Sequence, residues 1–250
     1  MSKEEREKSP RLRGVEKVKP PYPINEFPAD FALSLGKQIV YLLATRDTPD
    51  LEGKDWESLF ATSIGAKWKP SNIGLDDVVL DTCAWGAKTA KAKKPHKLSK
   101  IRLISGRNSP VYSYGSSVST DLDPTPLGKD VLGIWNERVS AIRKKYKHVR
   151  TVVLLKSDDL LDLTIFEFDT IRYEPDLYQW KWNKRGNLEG YSKGTEDHAF
   201  TWQPHGSQFT IIENVPKNKL CIRLKKPEKV SHEAVLRDVH FDPSWVQVIK

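Results

Sequence analysis

Val131, Trp135, Val139, Ile142 and Tyr146 recur at steps of four, four, three and four, which lays one continuous apolar stripe along a helix. The spacing predicts a helix over 129–146. Arg143, Lys144, Lys145 and Lys147 gather at its end, where cations suit the negative pole of the helix dipole. Directly after it, RTVVLLK (150–156) reads as a buried strand, with 160–169 as its neighbour. In that neighbour Leu161, Leu163 and Ile165 share one face, with Glu167 closing the row, while Phe166 and Phe168 take the other.

Upstream, Phe31, Leu33, Leu35, Ile39, Leu42 and Leu43 predict a helix over 28–44. Trp56, Leu59, Phe60 and Ile64 predict a second helix over 54–64, closed by Gly65. Three extended runs follow, at 77–80, 82–89 and 101–105, and 105–126 is rich in loop residues. Beyond 157 come the aromatic strand-like pieces 178–182, 200–203, 209–212 and 220–224, separated by turns. Leaving aside the first helix, the order is helix, three strands, helix, strand, then a β-rich third. That order predicts an α+β fold. Residues 1–23 form a basic, proline-containing arm expected to be flexible, and 24–250 a single domain with a core at about 51–156 and a β-rich recognition part at about 157–250.

The chain carries 41 Lys and Arg against 33 Asp and Glu, a formal charge of +8. Such a balance suits a polyanionic partner, because phosphates neutralised by cations release condensed counterions. Cys83 and Cys221 lie far apart without metal-ligand spacing, which argues against a zinc module and a disulfide scaffold. No apolar run approaches the roughly 18 residues that span a bilayer, and the charged N-terminus lacks a secretory apolar stretch. The expectation is a cytoplasmic protein with no membrane partner.

Hydrolysing a phosphodiester requires an attacking water, a divalent metal and a cation near the transition-state charge. One short region offers such a set: Glu57 on the second helix, Asp76 and Asp77 opening the first strand, and Lys88 on the second strand. Along that strand Cys83, Trp85 and Ala87 share one face, while Ala84, Gly86 and Lys88 share the other. The bland reading makes Asp76 and Asp77 turn residues and Lys88 a solvated edge charge.

The stretches Gly53–Glu57, Gly74–Val79 and Cys83–Thr89, in this element order, resemble the PD-(D/E)XK nuclease superfamily. The resemblance implies a restriction-endonuclease-like core, with Asp77 as the first metal-binding acid and Lys88 as the family's lysine. It also implies Mg2+ as cofactor. One departure is plain: the family's second acid sits two residues before the lysine, and here that residue is Gly86. In several members this carboxylate has migrated to a neighbouring helix. Glu57 takes that role in this reading, with Asp76 assisting and Glu137 or Asp81 as alternatives. LLKSDDL, YQWKWN and FTWQPHGSQFT look like stretches of bacterial type II restriction endonucleases, which implies double-stranded DNA as partner and a homodimer on a two-fold site.

Arg107 and Asn108 follow the third strand, in a place suited to contacts with guanine and adenine edges. Lys184 and Arg185 belong to one polar cluster, and Gln203, His205 and Gln208 to another. Amide-rich hairpins of this kind suit a major groove. Two alternatives stand beside the restriction enzyme: a non-catalytic DNA-binding protein on the same fold, which Gly86 favours, and a structure-specific repair nuclease.

Overall fold

The computed structural model describes residues 18–71 and 73–249. Its first elements are α1 (Phe31–Thr45), α2 (Gly53–Ser63), β1 (Lys67–Trp68), β2 (Val78–Leu80), β3 (Cys83–Lys91) and β4 (Lys100–Arg107). Then come α3 (Pro110–Tyr114), α4 (Pro124–Arg143), β5 (His148–Lys156), β6 (Asp162–Asp169), β7 (Tyr178–Trp182) and β8 (Leu188–Ser192). β9 (His198–Gln203), β10 (Gln208–Asn214), β11 (Leu220–Arg223) and α5 (His232–Asp238) complete the chain. The fold is α+β with two sheets. No helix among the described residues is long and apolar enough to cross a membrane.

The first sheet runs β1-β2-β3-β5-β6-β11, antiparallel throughout except for β3 beside β5, which is parallel. Its centre is covered on both sides, and Val149 to Lys156 of β5 are all buried. One face packs on α1 and α2 through Phe31, Ile39, Trp56, Phe60, Trp85, Val152 and Leu154. The opposite face packs on α4 through Ala84, Val149, Val131, Trp135 and Ile142. The far side of α4 meets Trp180, Leu188, Phe200, Trp202 and Phe209 of the second sheet, ordered β4-β10-β9-β8-β7. The layers are therefore helices, sheet, helix, sheet. The stripe Val131, Trp135, Val139 and Ile142 is fully used, wedged between two sheets.

Helix starts follow local chemistry. Asp123 Oδ1 accepts the Thr125 N–H at 3.0 Å, and Pro124 sits where no amide donor is required. The α4 start therefore falls at Pro124, five residues before the start read from apolar spacing alone. Its end falls at Arg143, because Lys144 and Lys145 form a closing turn.

Sheet membership departs from the sequence reading in two places. The run at 101–105 does form a strand, β4, but it pairs with β10 in the second sheet rather than with β3. The third strand of the local meander is instead the short β1, whose Lys67 and Trp68 face Val79 and Val78. Conversely, β6 and β11 lie beyond residue 157 yet belong to the first sheet. The division at 156 therefore does not separate two structural parts. Residues 1–17 of the N-terminal arm lie outside the described residues, but its end is core: Tyr22 is buried.

Tyr22 is held by a polar cluster at the centre of the first sheet. Glu167 Oε1 accepts from Tyr22 Oη at 2.8 Å and from Trp85 Nε1 at 2.6 Å. Its Oε2 pairs with Arg150 Nη1 at 3.2 Å, and Arg150 Nη2 donates to the Tyr22 carbonyl at 2.9 Å. Burial raises the Glu167 pKa, and Arg150 opposes that shift. A buried carboxylate stripped of its counter-ion costs far more than an ion pair gains over a well-packed apolar pair. Arg150→Met should therefore lower unfolding free energy in urea by about 3–5 kcal/mol, whereas Arg150→Met with Glu167→Met should recover most of that loss.

Candidate active site and nucleic-acid interface

β3 presents alternate residues to the two cores, as its sequence predicts. Cys83, Trp85 and Ala87 point into the α1–α2 side, and Ala84 points to α4. On the α4 side, Gly86 lies under the backbone of the segment leading to β2. A Cβ at Gly86 would stand 2.8 Å from the Gly74 carbonyl oxygen and 3.2 Å from Leu75 Cα. The position that would carry an acid in the resembling family is thus filled by backbone, and no carboxylate fits there without moving that segment.

Two residues on, Lys88 is half-buried and its Nζ donates to the same Gly74 carbonyl at 3.4 Å. Burial lowers the Lys88 pKa, while Asp77 raises it, Arg138 lowers it and Glu57 raises it. Asp77 is buried and accepts backbone hydrogen bonds from Ala87 and Ser71. Its carboxyl is pushed up to about 6, chiefly by burial; Lys88 opposes this and Glu57 adds to it. Glu57 is held at the rim of α2 by the Trp68 indole, whose Nε1 donates to Glu57 Oε2 at 3.1 Å. Asp77, Lys88 and Glu57 therefore sit within one electrostatic neighbourhood.

The remaining acids stand apart from it. Asp76 is buried, and its Oδ2 lies 3.7 Å from Lys69 Nζ, so its charge is answered by Lys69 rather than by Lys88. Asp81 is exposed in the β2–β3 turn with φ +50°. Five residues of extended β3 separate Cys83, just after that turn, from Lys88, a span of about 16 Å that excludes Asp81 from the site. Glu137 is exposed on α4. Its neighbour Arg138, one helical step around, is the residue that reaches the site.

Nothing local in the sequence marks Arg138 as part of the site. Its Nη1 donates to the Ser105 carbonyl at 2.7 Å and to Asn108 Oδ1 at 3.0 Å, and its Nη2 donates to the Ile73 carbonyl. One guanidinium thus ties α4, the end of β4 and the segment before β2 together. Gly106, at φ +100°, gives it room: a Cβ there would lie 2.6 Å from Arg138 Nη2.

Asn108 is not a base-reading residue. It is fully buried; its Nδ2 donates to the Val131 carbonyl at 2.9 Å, its Oδ1 accepts from Arg138 Nη1 at 3.0 Å, and its main-chain carbonyl accepts from Trp202 Nε1 at 2.7 Å. A side chain already engaged on both amide atoms has nothing to offer an adenine edge. Arg107, by contrast, is exposed.

Strand register gathers the other polar candidates. Gln208 faces Arg107 on one side and Gln203 on the other. Leu188 faces Trp202 and also Trp182, so the turn holding Lys184 and Arg185 opens at the same end of the sheet as His205. Lys184, Arg185 and His205 are exposed, and Gln203 and Gln208 are half-buried. That end is also where Ser105 and Asn108 meet Arg138. The exposed Lys184, Arg185 and His205 and the half-buried Gln203 and Gln208 therefore gather at the end of the second sheet where Arg138 meets β4.

As donors for a metal, Glu57 and Asp77 are two oxygen ligands of the kind magnesium takes, with water and substrate phosphate completing its shell. Among the described residues no group of three or more His, Cys, Asp or Glu is disposed to hold a metal. Two carboxylates would suit a hard cation better than a zinc-type cage. Comparison with protein-family models, curated proteins and solved structures yields no match to this chain.

Raising the Asp77 pKa means that the folded state holds its proton more tightly than the unfolded chain does. That stabilisation is full below the ordinary value of 3.8 and is lost as pH rises through about 6. Asp77→Asn, which never ionises, should therefore exceed the parent in stability above pH 6, by on the order of 2 kcal/mol, with the gain vanishing towards pH 4. Thermal unfolding without metal, across that pH range, measures it. Gly86→Ala should cost about 1–3 kcal/mol, because the atoms it meets are backbone and cannot rotate away.

Proposed function

We propose that this chain is a magnesium-dependent DNA endonuclease of the restriction type, built on a core like that of the PD-(D/E)XK nucleases. The observation that carries the reading is the electrostatic neighbourhood shared by Asp77, Glu57 and Lys88, on the side of the protein where Arg138 meets the end of the second sheet and its exposed cations. Element order supports it in part: α2, β1, β2, β3, α4 and β5 follow one another as helix, three strands, helix, strand once β4 and α3, which intervene before α4, are set aside, and the four strands are successive neighbours in one sheet.

In this reading Glu57 and Asp77 hold the cation. Bound magnesium supplies a polarised water and neutralises charge on the phosphate. Lys88, freed from the Gly74 carbonyl by an incoming phosphate oxygen, donates to that oxygen and stabilises its growing negative charge. Arg138 does not touch the substrate. It holds Ile73 and Gly74 in place, and so fixes the acceptor against which Lys88 is poised. Arg107, Lys184, Arg185 and His205 meet the DNA, with Gln203 and Gln208 beside them able to bond base edges. A two-fold symmetric site calls for two copies of the chain.

A non-catalytic DNA-binding protein remains the second reading, favoured by the want of a third metal-ligating side chain among the described residues and by the closed position at Gly86. Digestion of unmethylated phage DNA with Mg2+, beside an EDTA control and Lys88→Ala, separates the readings. Discrete fragments that disappear in both controls are expected. Intact DNA that is still retarded on a gel points to the binding protein, and nicking confined to branched or mismatched duplexes points to a repair nuclease.

Cleavage should also fall as pH drops through about 6, because a protonated Asp77 cannot ligate a cation. The decline should shift to lower pH as Mg2+ is raised, and a series of initial rates at fixed ionic strength tests it.

A further inference from the structure

Past Lys88, β3 runs out to Lys91 and the crossover begins with KAKKPHKLSK (91–100). This loop is pinned along its length. The Ala92 N–H donates to the Lys156 carbonyl at 3.0 Å, and the Ser99 carbonyl accepts from the Val215 N–H at 2.9 Å. Between these anchors Pro95 is buried, and the Lys97 N–H closes a tight turn on the Lys94 carbonyl at 3.0 Å. Leu98 packs against the cluster of Ile101, Leu103, Val153, Leu155 and Phe166. With its apolar side chains turned in, the loop holds Lys93, Lys94 and Lys97 exposed.

The two ends of the loop are neutralised and its middle is not. Lys91 pairs with Asp50 at 3.2 Å and Lys100 with Asp197 at 3.0 Å. Lys93, Lys94 and Lys97 make no ion pair among the described residues. The Val215 tie adds the exposed Lys217, two residues on, to the same neighbourhood. The acids in the adjoining turn after β5 are Asp158 and Asp159, and Asp159 is taken up by Ser157 and by the Leu161 N–H at 3.1 Å. Like charges fixed this close together repel, and an anion laid across them relieves that repulsion.

The loop also stands beside the candidate site. Ala90 follows Lys88 on the same face of β3, and it packs on the same cluster as Leu98. Lys91 lies three residues beyond Lys88, about 10 Å of extended strand. One DNA strand presents a charge about every 3.4 Å along its axis. A strand with one phosphate at Lys88 therefore offers the loop phosphates a few nucleotides away.

We propose that Lys93, Lys94 and Lys97 grip the backbone of duplex DNA to one side of the scissile phosphate, without regard to sequence. Their contacts position the duplex, whereas base edges are read at the far end of β4, where Arg107 faces Gln208. The assignment rests on the DNA-binding reading, and the test separates the two.

Fluorescence anisotropy with a labelled random-sequence duplex, in EDTA so that no strand is cut, gives affinity as a function of salt. The loop variant combines Lys93→Ala, Lys94→Ala and Lys97→Ala. A matched variant combines Lys144→Ala, Lys145→Ala and Lys147→Ala, removing equal charge just before His148, at the opposite end of the β3–β5 pair. Each phosphate contact contributes about 0.9 to the slope of log affinity against log salt, so the loop variant should be shallower by about 2.7. Between about 50 and 200 mM salt it should lose about 40-fold less affinity than the parent, while binding more weakly at the low end. The matched variant should keep the parent slope. Equal slopes in parent and loop variant, or equal losses in both variants, would overturn the assignment and leave DNA binding standing. So would a slope that changes on duplex RNA and not on duplex DNA. A parent that binds no duplex overturns the DNA-binding reading and the assignment with it. If the loop variant loses its far-ultraviolet dichroism, Lys93→Gln, Lys94→Gln and Lys97→Gln replace it singly, each expected to be shallower by about 0.9.

Discussion

Parallel pairing of β3 with β5 sets the terms for everything else. The register is unbroken from Cys83 beside His148 to Lys91 beside Lys156. A parallel pair cannot be closed by a hairpin, so the chain must leave the sheet after Lys91, cross one of its faces and return at His148. That crossover contains α4, which covers the face carrying Ala84, Gly86 and Lys88. It also contains β4, which leaves the first sheet and becomes the edge on which the second sheet is laid. Both the candidate catalytic face and the polar end of the second sheet are consequences of one long connection.

Elements whose burial is periodic could be read from the residues. The α4 stripe, the wholly apolar β5 and the alternation along β3 all place side chains where the fold has them, because each depends on local spacing. Pairing partners are a different matter. β4 alternates buried and exposed residues as any strand does, and nothing in Ile101–Ser105 says that its neighbour is β10 rather than β3. β1 has two residues, Lys67 and Trp68, both exposed, too few to show the alternation of a strand. Tyr22 sits among prolines and lysines, and only the distant Arg150 and Glu167 explain its burial.

The same limit explains the polar residues. Asn108 and Arg107 are adjacent in a loop-like stretch and look equally fit to meet a base. Asn108 instead satisfies the Val131 carbonyl and orients Arg138, a pairing across 30 residues that no local pattern announces. Glu137 and Arg138 are adjacent on α4, yet the step of one residue turns Arg138, not Glu137, towards Gly74. Gly86 was legible as a departure, but its physical reason was not: the Gly74 carbonyl occupies the volume that a side chain would need.

Burial of Asp77 is a cost that the fold itself does not require. Glu167, equally buried, is answered by four donors, and Lys156 by Asp50 at 2.7 Å. Asp77 lies in reach of Lys88, but Glu57 works against that pairing, and Lys88 spends its own hydrogen bond on a backbone carbonyl. Glu57 and Asp77 stand here beside Lys88 and Arg138, two acids and two cations crowded into one partly buried neighbourhood. Perturbed ionisation of this kind clusters where a site is arranged for a ligand, although structural ion-pair networks produce it too. A cation between Glu57 and Asp77 would relieve their repulsion and return Asp77 towards its ordinary pKa, whereas an apolar pair at those positions would stabilise the chain and leave nothing for a cation to bind.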